Sequence, residues 1–254
     1  MKEENRLTQI NIVNLIWSFD RETNQVNLLL VKRSERPALG MWALPETFLG
    51  EHESADQAAL RLVQDKIGLK LAAFHTEQLE TFTAPQRVTA HHRNLSLAYM
   101  TFLPEMPPLN PGYGASDARW FALSTVDSRY CFSNGLVQFQ VAAEQKQEDY
   151  YANLAAYVKK TPHRLAFDYE WIIKVACLRI RNKLDYQPNI LLILGDSFTI
   201  REARCVYAPF LQTKMEQIDN SNFTKTHSKL FEETGISVSK KRGRPAKVYR
   251  LKEA

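Results

Sequence analysis

Residues 221–254 carry nine Lys or Arg against three acidic residues, a surplus of six in a chain whose whole formal charge is +5. The preceding 220 residues are therefore close to neutral, and positive charge is segregated at one end. Such segregation suits a phosphate-binding module attached to a domain with another task, because each Lys or Arg contact to a phosphate releases a condensed counterion. The order inside this end narrows the shape. Lys240-Lys241-Arg242-Gly243-Arg244-Pro245-Ala246-Lys247-Val248-Tyr249-Arg250 reads as a basic β-ribbon around a Gly-Arg-Pro tip. The alternative for the same residues is a solvated basic tail.

The chain has 254 residues, of which 44% are hydrophobic and 24% charged, enough for two ordinary globular domains and contrary to disorder. The opening Met1-Lys2-Glu3-Glu4-Asn5-Arg6 lacks the apolar stretch of a signal peptide. The longest apolar runs, residues 26–31 and 190–194, have strand or core-helix length. A soluble, cytoplasmic protein without a membrane partner is expected. Cys131, Cys177 and Cys205 lie far apart and are odd in number, so they read as packing residues rather than a zinc site or disulfide framework.

In the N-terminal half, residues 10–19, 26–33 and 95–103 are rich in β-branched or aromatic residues, and residues 55–66 have helical spacing. Ala59, Leu62, Val63 and Ile67 recur at three- and four-residue steps, with Gly68 where a C-cap is expected. An α/β domain follows. The order Leu28-Leu29-Leu30-Val31-Lys32-Arg33, Gly40-Met41-Trp42-Ala43-Leu44-Pro45, then Arg61-Leu62-Val63-Gln64-Asp65-Lys66-Ile67-Gly68-Leu69 resembles a Nudix domain. Glu80-Thr81-Phe82-Thr83-Ala84-Pro85-Gln86-Arg87 is similar to the segment after the box in ADP-ribose-type Nudix proteins, and Ala118-Arg119-Trp120-Phe121 to their later strand.

The match fails at the chemistry. Where a working box has a glycine pair, this chain has Glu46-Thr47, and the three metal-binding glutamates read Leu62, Asp65 and Lys66. Carboxylates at that spacing share one helix face and hold the divalent ions that bridge a diphosphate and activate water. Losing two and gaining an ammonium disfavours a divalent ion, so no metal, no cofactor and no catalytic residue is expected. Glu53 and Arg61, which keep the box positions, are scaffold in this resemblance. The resemblance also implies ligand contacts from Arg33, Trp42, Lys66, Phe82, Arg87 and Arg93, since arginine suits bidentate phosphate contact and aromatic rings suit base stacking.

In the C-terminal half, a break at Lys159-Lys160-Thr161-Pro162 precedes a helix with Asp168 as N-cap and an apolar stripe of Ile172, Val175, Ala176, Ile180 and Leu184. That helix can connect domains, pair subunits or pack within the chain. Thr199 and Glu202 form a capping box ahead of a further helix, and Asp219-Asn220-Ser221-Asn222 opens another over residues 223–233, ending at Gly235. Two helices followed by a basic ribbon are the order of a winged helix-turn-helix. Leu165-Ala166-Phe167-Asp168, Phe198-Thr199-Ile200-Arg201-Glu202, Asn222-Phe223 and the ribbon itself resemble the Nudix-related transcriptional regulators of the NrtR type.

The expected architecture is thus an α/β Nudix fold, a mixed sheet in an α/β/α sandwich, followed by a smaller, mostly helical winged helix. Residues 1–160 form the ligand-sensing domain, 161–184 a linker helix region and 185–254 the DNA-binding domain. Ser221, Asn222, Lys225, Thr226 and Lys229 on the second helix, with Lys241, Arg242, Arg244 and Lys247 on the ribbon, are the expected DNA contacts. The resemblance implies a homodimeric repressor of NAD, pyridine-nucleotide or related sugar-phosphate metabolism that binds a double-stranded operator and is released by an ADP-ribose-like effector. Two rivals fit parts of the pattern. One is a Nudix diphosphatase using Asp65, Glu53 and Asp56; the other is a constitutive DNA-binding module with a decayed pocket.

Overall fold

Strand β1 (Thr8–Asp20) turns through a loop in which the Asp20 carboxylate accepts the Glu22 and Thr23 amides, and returns as β2 (Gln25–Arg33). The computed structural model describes residues 8–67, 75–89, 92–112, 114–160, 164–236 and 245–252. Next come β3 (Trp42–Ala43), β4 (Glu46–Phe48), α1 (Ala55–Ile67), β5 (His75–Phe82), β6 (Val88–Thr89) and β7 (His92–Phe102). Strands β8 (Ala115–Val126), β9 (Arg129–Ser133) and β10 (Gln138–Gln140) complete a ten-stranded sheet in the order β10-β9-β8-β2-β1-β7-β5, with β3 on β2, β4 on β1 and β6 on β7. The sheet is mixed, since β1 runs parallel to β7 and antiparallel to β2 and β4.

Strand alternation divides β1 between two faces. Ile12 packs with Ala58, Ala59 and Leu62 of α1 and with Tyr99, so α1 covers one face. Trp17 points to the other, where it meets Phe132 at 6.1 Å and, edge-on, Phe210 at 5.7 Å. The cover of this second face comes from beyond the Nudix-like strands: α2 (Gln147–Lys160), α3 (Tyr169–Lys183), a 3-10 helix (Asn189–Leu194) and, after the short strand β11 (Phe198–Thr199), α4 (Ile200–Phe210). A sandwich results whose second helical layer belongs to the C-terminal half. One apolar cluster runs from Val13 through Trp171, Ile172 and Cys177 to Phe231.

Helix α3 is buried on most sides, with Tyr169, Trp171, Ile172, Ile173, Ala176, Cys177 and Ile180 inside that cluster. Its stripe serves packing within the chain, and Tyr150 of α2 stacks on Trp171 at 5.4 Å. The expected break at Thr161 lies outside the described residues. Asp168 stands at the N-cap position, as its spacing suggested, but its side chain makes no capping hydrogen bond. The carboxylate is instead taken by Arg87 and Tyr151, because a buried guanidinium is a stronger claimant than a helix amide that solvent or a neighbour can satisfy. The cysteines are free, Cys131 and Cys177 buried and Cys205 half-buried.

The last elements are α5 (Asn220–Thr226), β12 (Phe231–Ile236) and β13 (Lys247–Leu251), the strands forming a wing in the order β11-β13-β12. The Thr199–Glu202 capping box is made in both directions, at 3.2 Å and 2.7 Å. The expected helix over residues 223–233 is shorter and starts earlier. Asp219 caps it by accepting the Asn222 amide at 2.7 Å, and residues 231–236 pair with β13 instead. Pairing overrides helical period there because Phe231 packs edge-on against Phe198 at 5.2 Å, and Glu232 and Glu233 face Arg250 and Lys247 across the ribbon.

The two halves are also tied by polar contacts. Arg21, in the β1–β2 turn, donates to Glu202 and to the Leu194 carbonyl. The Tyr130 hydroxyl donates to the Phe210 carbonyl at 2.8 Å.

Glu170, in the first turn of α3, is 1% exposed and accepts the Leu165 amide at 2.6 Å; burial pushes its carboxyl up to about 7. An acid whose folded value is raised binds its proton more tightly when folded, so its contribution is full below about pH 4.5 and is lost as pH rises through 7. Glu170→Gln, which keeps the acceptor and cannot ionise, is expected to gain on the native protein by up to about 3 kcal/mol between pH 5 and 8. Denaturant melts of both proteins across that range check this; a constant difference would remove Glu170 as the titrating group.

Candidate functional site

A cavity of about 380 Å³ opens beside β1, β2 and β4. Asn11, on the Trp17 face of β1, forms part of its wall, so the cavity lies on the side of the sheet away from α1. Arg33 comes from the end of β2, Glu46 and Phe48 from β4, Arg87 from the loop after β5 and Tyr151 from α2. Arg164, Phe167, Asp168 and Tyr169 come from the segment that enters α3. The cavity is therefore walled jointly by the sheet and by the chain leading to the C-terminal helices.

A continuous polar network lines it. Glu46 accepts from Arg33, from the Tyr169 hydroxyl and, at 3.1 Å, from Asn11 Nδ2. Ser96 Oγ donates to Asn11 Oδ1 at 2.5 Å and accepts from Arg87. Arg87 and the Tyr151 hydroxyl both donate to Asp168. Burial is the largest influence on Arg87 and opposes its charge, but Asp168, Tyr151 and Tyr169 together outweigh it and the guanidinium is held above its ordinary range. Burial, reinforced by Asp168, drives the Tyr151 phenol well above its usual range, so it remains a donor.

Of the expected ligand residues, Arg33 and Arg87 reach this wall. Arg33 also donates to the Pro37 carbonyl at 2.9 Å and lies 4.9 Å over the Phe167 ring. Trp42 does not reach it: the indole is buried edge-on against Phe121 at 5.0 Å, and β3 spends its outer edge accepting the Ala166 amide at 2.7 Å. Phe82 is a core residue beneath the Arg87 guanidinium, and Arg93 turns away to the Thr83 carbonyl at 3.0 Å. Lys66 stands in the last turn of α1, its side chain outside the described residues. Arg36, Phe48, Tyr151, Arg164, Phe167 and Tyr169 were missed. Only Phe48 carried a local signal, a large ring at an alternate position of a short strand, and it is 60% exposed.

The carboxylates that remain at and near the box are engaged within the chain. Leu62, at the first of the three metal-binding glutamate positions, is 1% exposed within the apolar cluster under α1. Glu53 is engaged twice by Arg61, at 2.6 Å and 2.9 Å, and by the Gly50 amide at 2.8 Å. The Arg61 hydrogen bonds hold its carboxyl down to about 2. Asp65 lies 3.6 Å from the same guanidinium. Asp56 is drawn toward Tyr99, whose phenol burial and that carboxylate push up to about 12. Among the described residues no three His, Cys, Asp or Glu side chains gather where a metal could be held.

On the wing side, Ser221, Asn222, Lys225 and Thr226 of α5 are exposed, while Phe223 is buried edge-on against Tyr207 at 4.9 Å. Lys229 is exposed in the turn between α5 and β12. Leu230 and Tyr249 pack against the core from partly buried positions. Lys247, exposed on β13, bonds Glu233 at 2.8 Å, so its charge is shared across the ribbon. Lys241, Arg242 and Arg244 lie outside the described residues.

The class is set by these two sites on one framework: a Nudix sheet joined to a winged helix. The NUDIX domain family matches residues 10–137, and the NrtR DNA-binding winged helix domain matches residues 190–251. The chain belongs to the Nudix family and carries a winged helix domain of the NrtR DNA-binding type. It is similar to the crystal structure of a MutT/nudix family protein from Enterococcus faecalis, at 28% identity and a TM-score of 0.80, covering 99% of this chain and 89% of that one. It is also similar in fold to Shewanella oneidensis NrtR complexed with a 27mer DNA, at 23% identity and a TM-score of 0.65, covering 96% and 93%. The same protein without DNA gives 24% and 0.64, covering 96% and 94%. No helix among the described residues is long and apolar enough to cross a membrane.

Removing Asp168 leaves a buried guanidinium without its counter-charge. Asp168→Ala is expected to lower unfolding free energy by about 3–5 kcal/mol in chemical denaturation, far above an ordinary surface substitution.

Proposed function

We propose that this protein is a DNA-binding transcriptional regulator, acting as a repressor of NAD, pyridine-nucleotide or related sugar-phosphate metabolism. In this reading it works as a cytoplasmic homodimer, and its Nudix domain binds ADP-ribose or a similar effector without hydrolysing it. The observation that carries the reading is the union, in one apolar cluster, of a Nudix sheet whose box lacks a carboxylate cluster with a winged helix that leaves the polar face of α5 exposed.

Asn222 suits paired hydrogen bonds to adenine in the major groove, and Lys225 and Lys229 suit phosphates. A two-fold dimer presents two such helices, so the operator is a pseudo-palindrome with half-sites about one or two turns apart. Control needs only differential affinity: an effector that binds the DNA-incompetent arrangement better draws the population away from the operator. With Leu62 packed, and Glu53 and Asp65 both on Arg61, the divalent ions that activate water lack a seat, and the effector survives binding.

The test is anisotropy of labelled upstream DNA at fixed salt, titrated with and without ADP-ribose, while AMP is assayed in the presence of Mg²⁺ or Mn²⁺. Specific binding released by intact ADP-ribose is expected; AMP at ordinary enzymatic rates, with no DNA binding, overturns the reading. Lys225→Ala should lower the slope of log affinity against log salt by about one, and Arg244→Ala should weaken operator binding by about 1–3 kcal/mol. An unchanged slope or an unchanged affinity removes the respective residue from the interface.

A further inference from the structure

The arginines expected to hold phosphate are already occupied by carboxylates of the same chain: Arg33 pairs with Glu46, and Arg87 with Asp168. Two other guanidiniums on the cavity wall, Arg36 and Arg164, form no ion pair among the described residues. Arg36 is exposed at the mouth. Arg164 is half-buried; its charge acts on the buried Glu170, and among the described residues its hydrogen bonds go to the Leu165 and Phe167 carbonyls, at 3.5 Å and 3.3 Å, long contacts that a charged acceptor would displace. A third observation points inward. Arg87 is a wall residue with a side chain 6% exposed, and its Nε–H has no acceptor among the described residues. A buried donor left unpaired is costly, and a ligand oxygen entering the cavity would satisfy it.

Resting on the ligand-binding reading above, we propose that Arg36 and Arg164, with the Nε edge of Arg87, form the anion subsite of this cavity. Its ligand is a phosphate ester or diphosphate held without a metal ion. Arg33 stays with Glu46 and supports the wall. The paired arginines cancel their carboxylates, leaving Arg36 and Arg164 against Glu35, so the cavity keeps a positive remainder that favours an anion over a neutral nucleoside. Arg164 also makes the ligand a direct contact of the segment entering α3. Specificity and transmission to the C-terminal half then begin at one residue.

Calorimetric titration of the full chain, in EDTA, with ADP-ribose and separately with inorganic diphosphate tests this. Wild type is expected to bind both. Arg164→Gln and Arg36→Gln should each lower affinity about tenfold or more. Arg164→Lys, which keeps the charge and loses the fork, should fall between, and Arg119→Gln, whose arginine pairs with Asp117 away from the cavity, should change nothing. Melting temperatures of the variants establish that each is folded. Wild-type affinity in both Gln variants overturns the subsite while leaving the effector reading intact. Diphosphate binding that is lost in Arg164→Gln, with no response to ADP-ribose, keeps the subsite and overturns the named effector. Binding of neither probe overturns both, and binding only when Mg²⁺ is added overturns the metal-free mode.

Discussion

A guanidinium taken out of water must be neutralised where it sits, and the structure is arranged around one such group. Arg87 leaves the sheet just after β5 and finds its counter-charge on Asp168, eighty-one positions later, at the entrance to α3. Satisfying it recruits Ser96 and Tyr151, and through Asn11 the chain of contacts reaches Glu46, Tyr169 and Arg33. Six separate elements, β1, β2, β4, β7, α2 and α3, are therefore linked through the network that satisfies one buried charge. The geometry is specific rather than simply cohesive, since an apolar replacement would fill the volume but would not index α3 against the sheet.

The elements whose signals are local were legible. Alternation and β-branched content located β1, β2 and β7 to within a few residues, and the spacing of Ala59, Leu62 and Val63 gave the buried face of α1. The Thr199–Glu202 box formed as its spacing implied. Where local preference met a tertiary partner, the partner prevailed. Asp168 has the composition of a cap and serves Arg87 instead; residues 231–233 continue a helical pattern and are strand because β13 offers them backbone and charge partners. The role of α3 was open among three uses, and only the packing of Trp171 and Cys177 decides for the interior.

The cavity was legible by half, for a related reason. Arg33 and Arg87 belong to segments similar to a known family, and both are on its wall. Trp42 and Phe82 belong to the same segments but point into the core, because the parity of a short strand and the stacking of Arg87 are not written in neighbouring residues. Arg36, Arg164 and Phe167 come from a loop and from a segment over a hundred residues further on, and nothing in one-dimensional order relates them. The glycine pair replaced by Glu46-Thr47 was visible from the start, but its consequence was not. Glu46 is the acceptor on which three donors converge.

Trp17 meets Phe210, and Arg21 shares Glu202 with the capping box that starts α4. A DNA reader is often pictured as a cassette, transferable between sensors because each half is finished without the other. Here the second face of the Nudix sheet is finished in part by the reader's own scaffold, the 3-10 helix and α4. Shuffling such halves between relatives would expose an unroofed sheet, so change along this lineage has to proceed by paired substitutions across the seam rather than by exchange of domains.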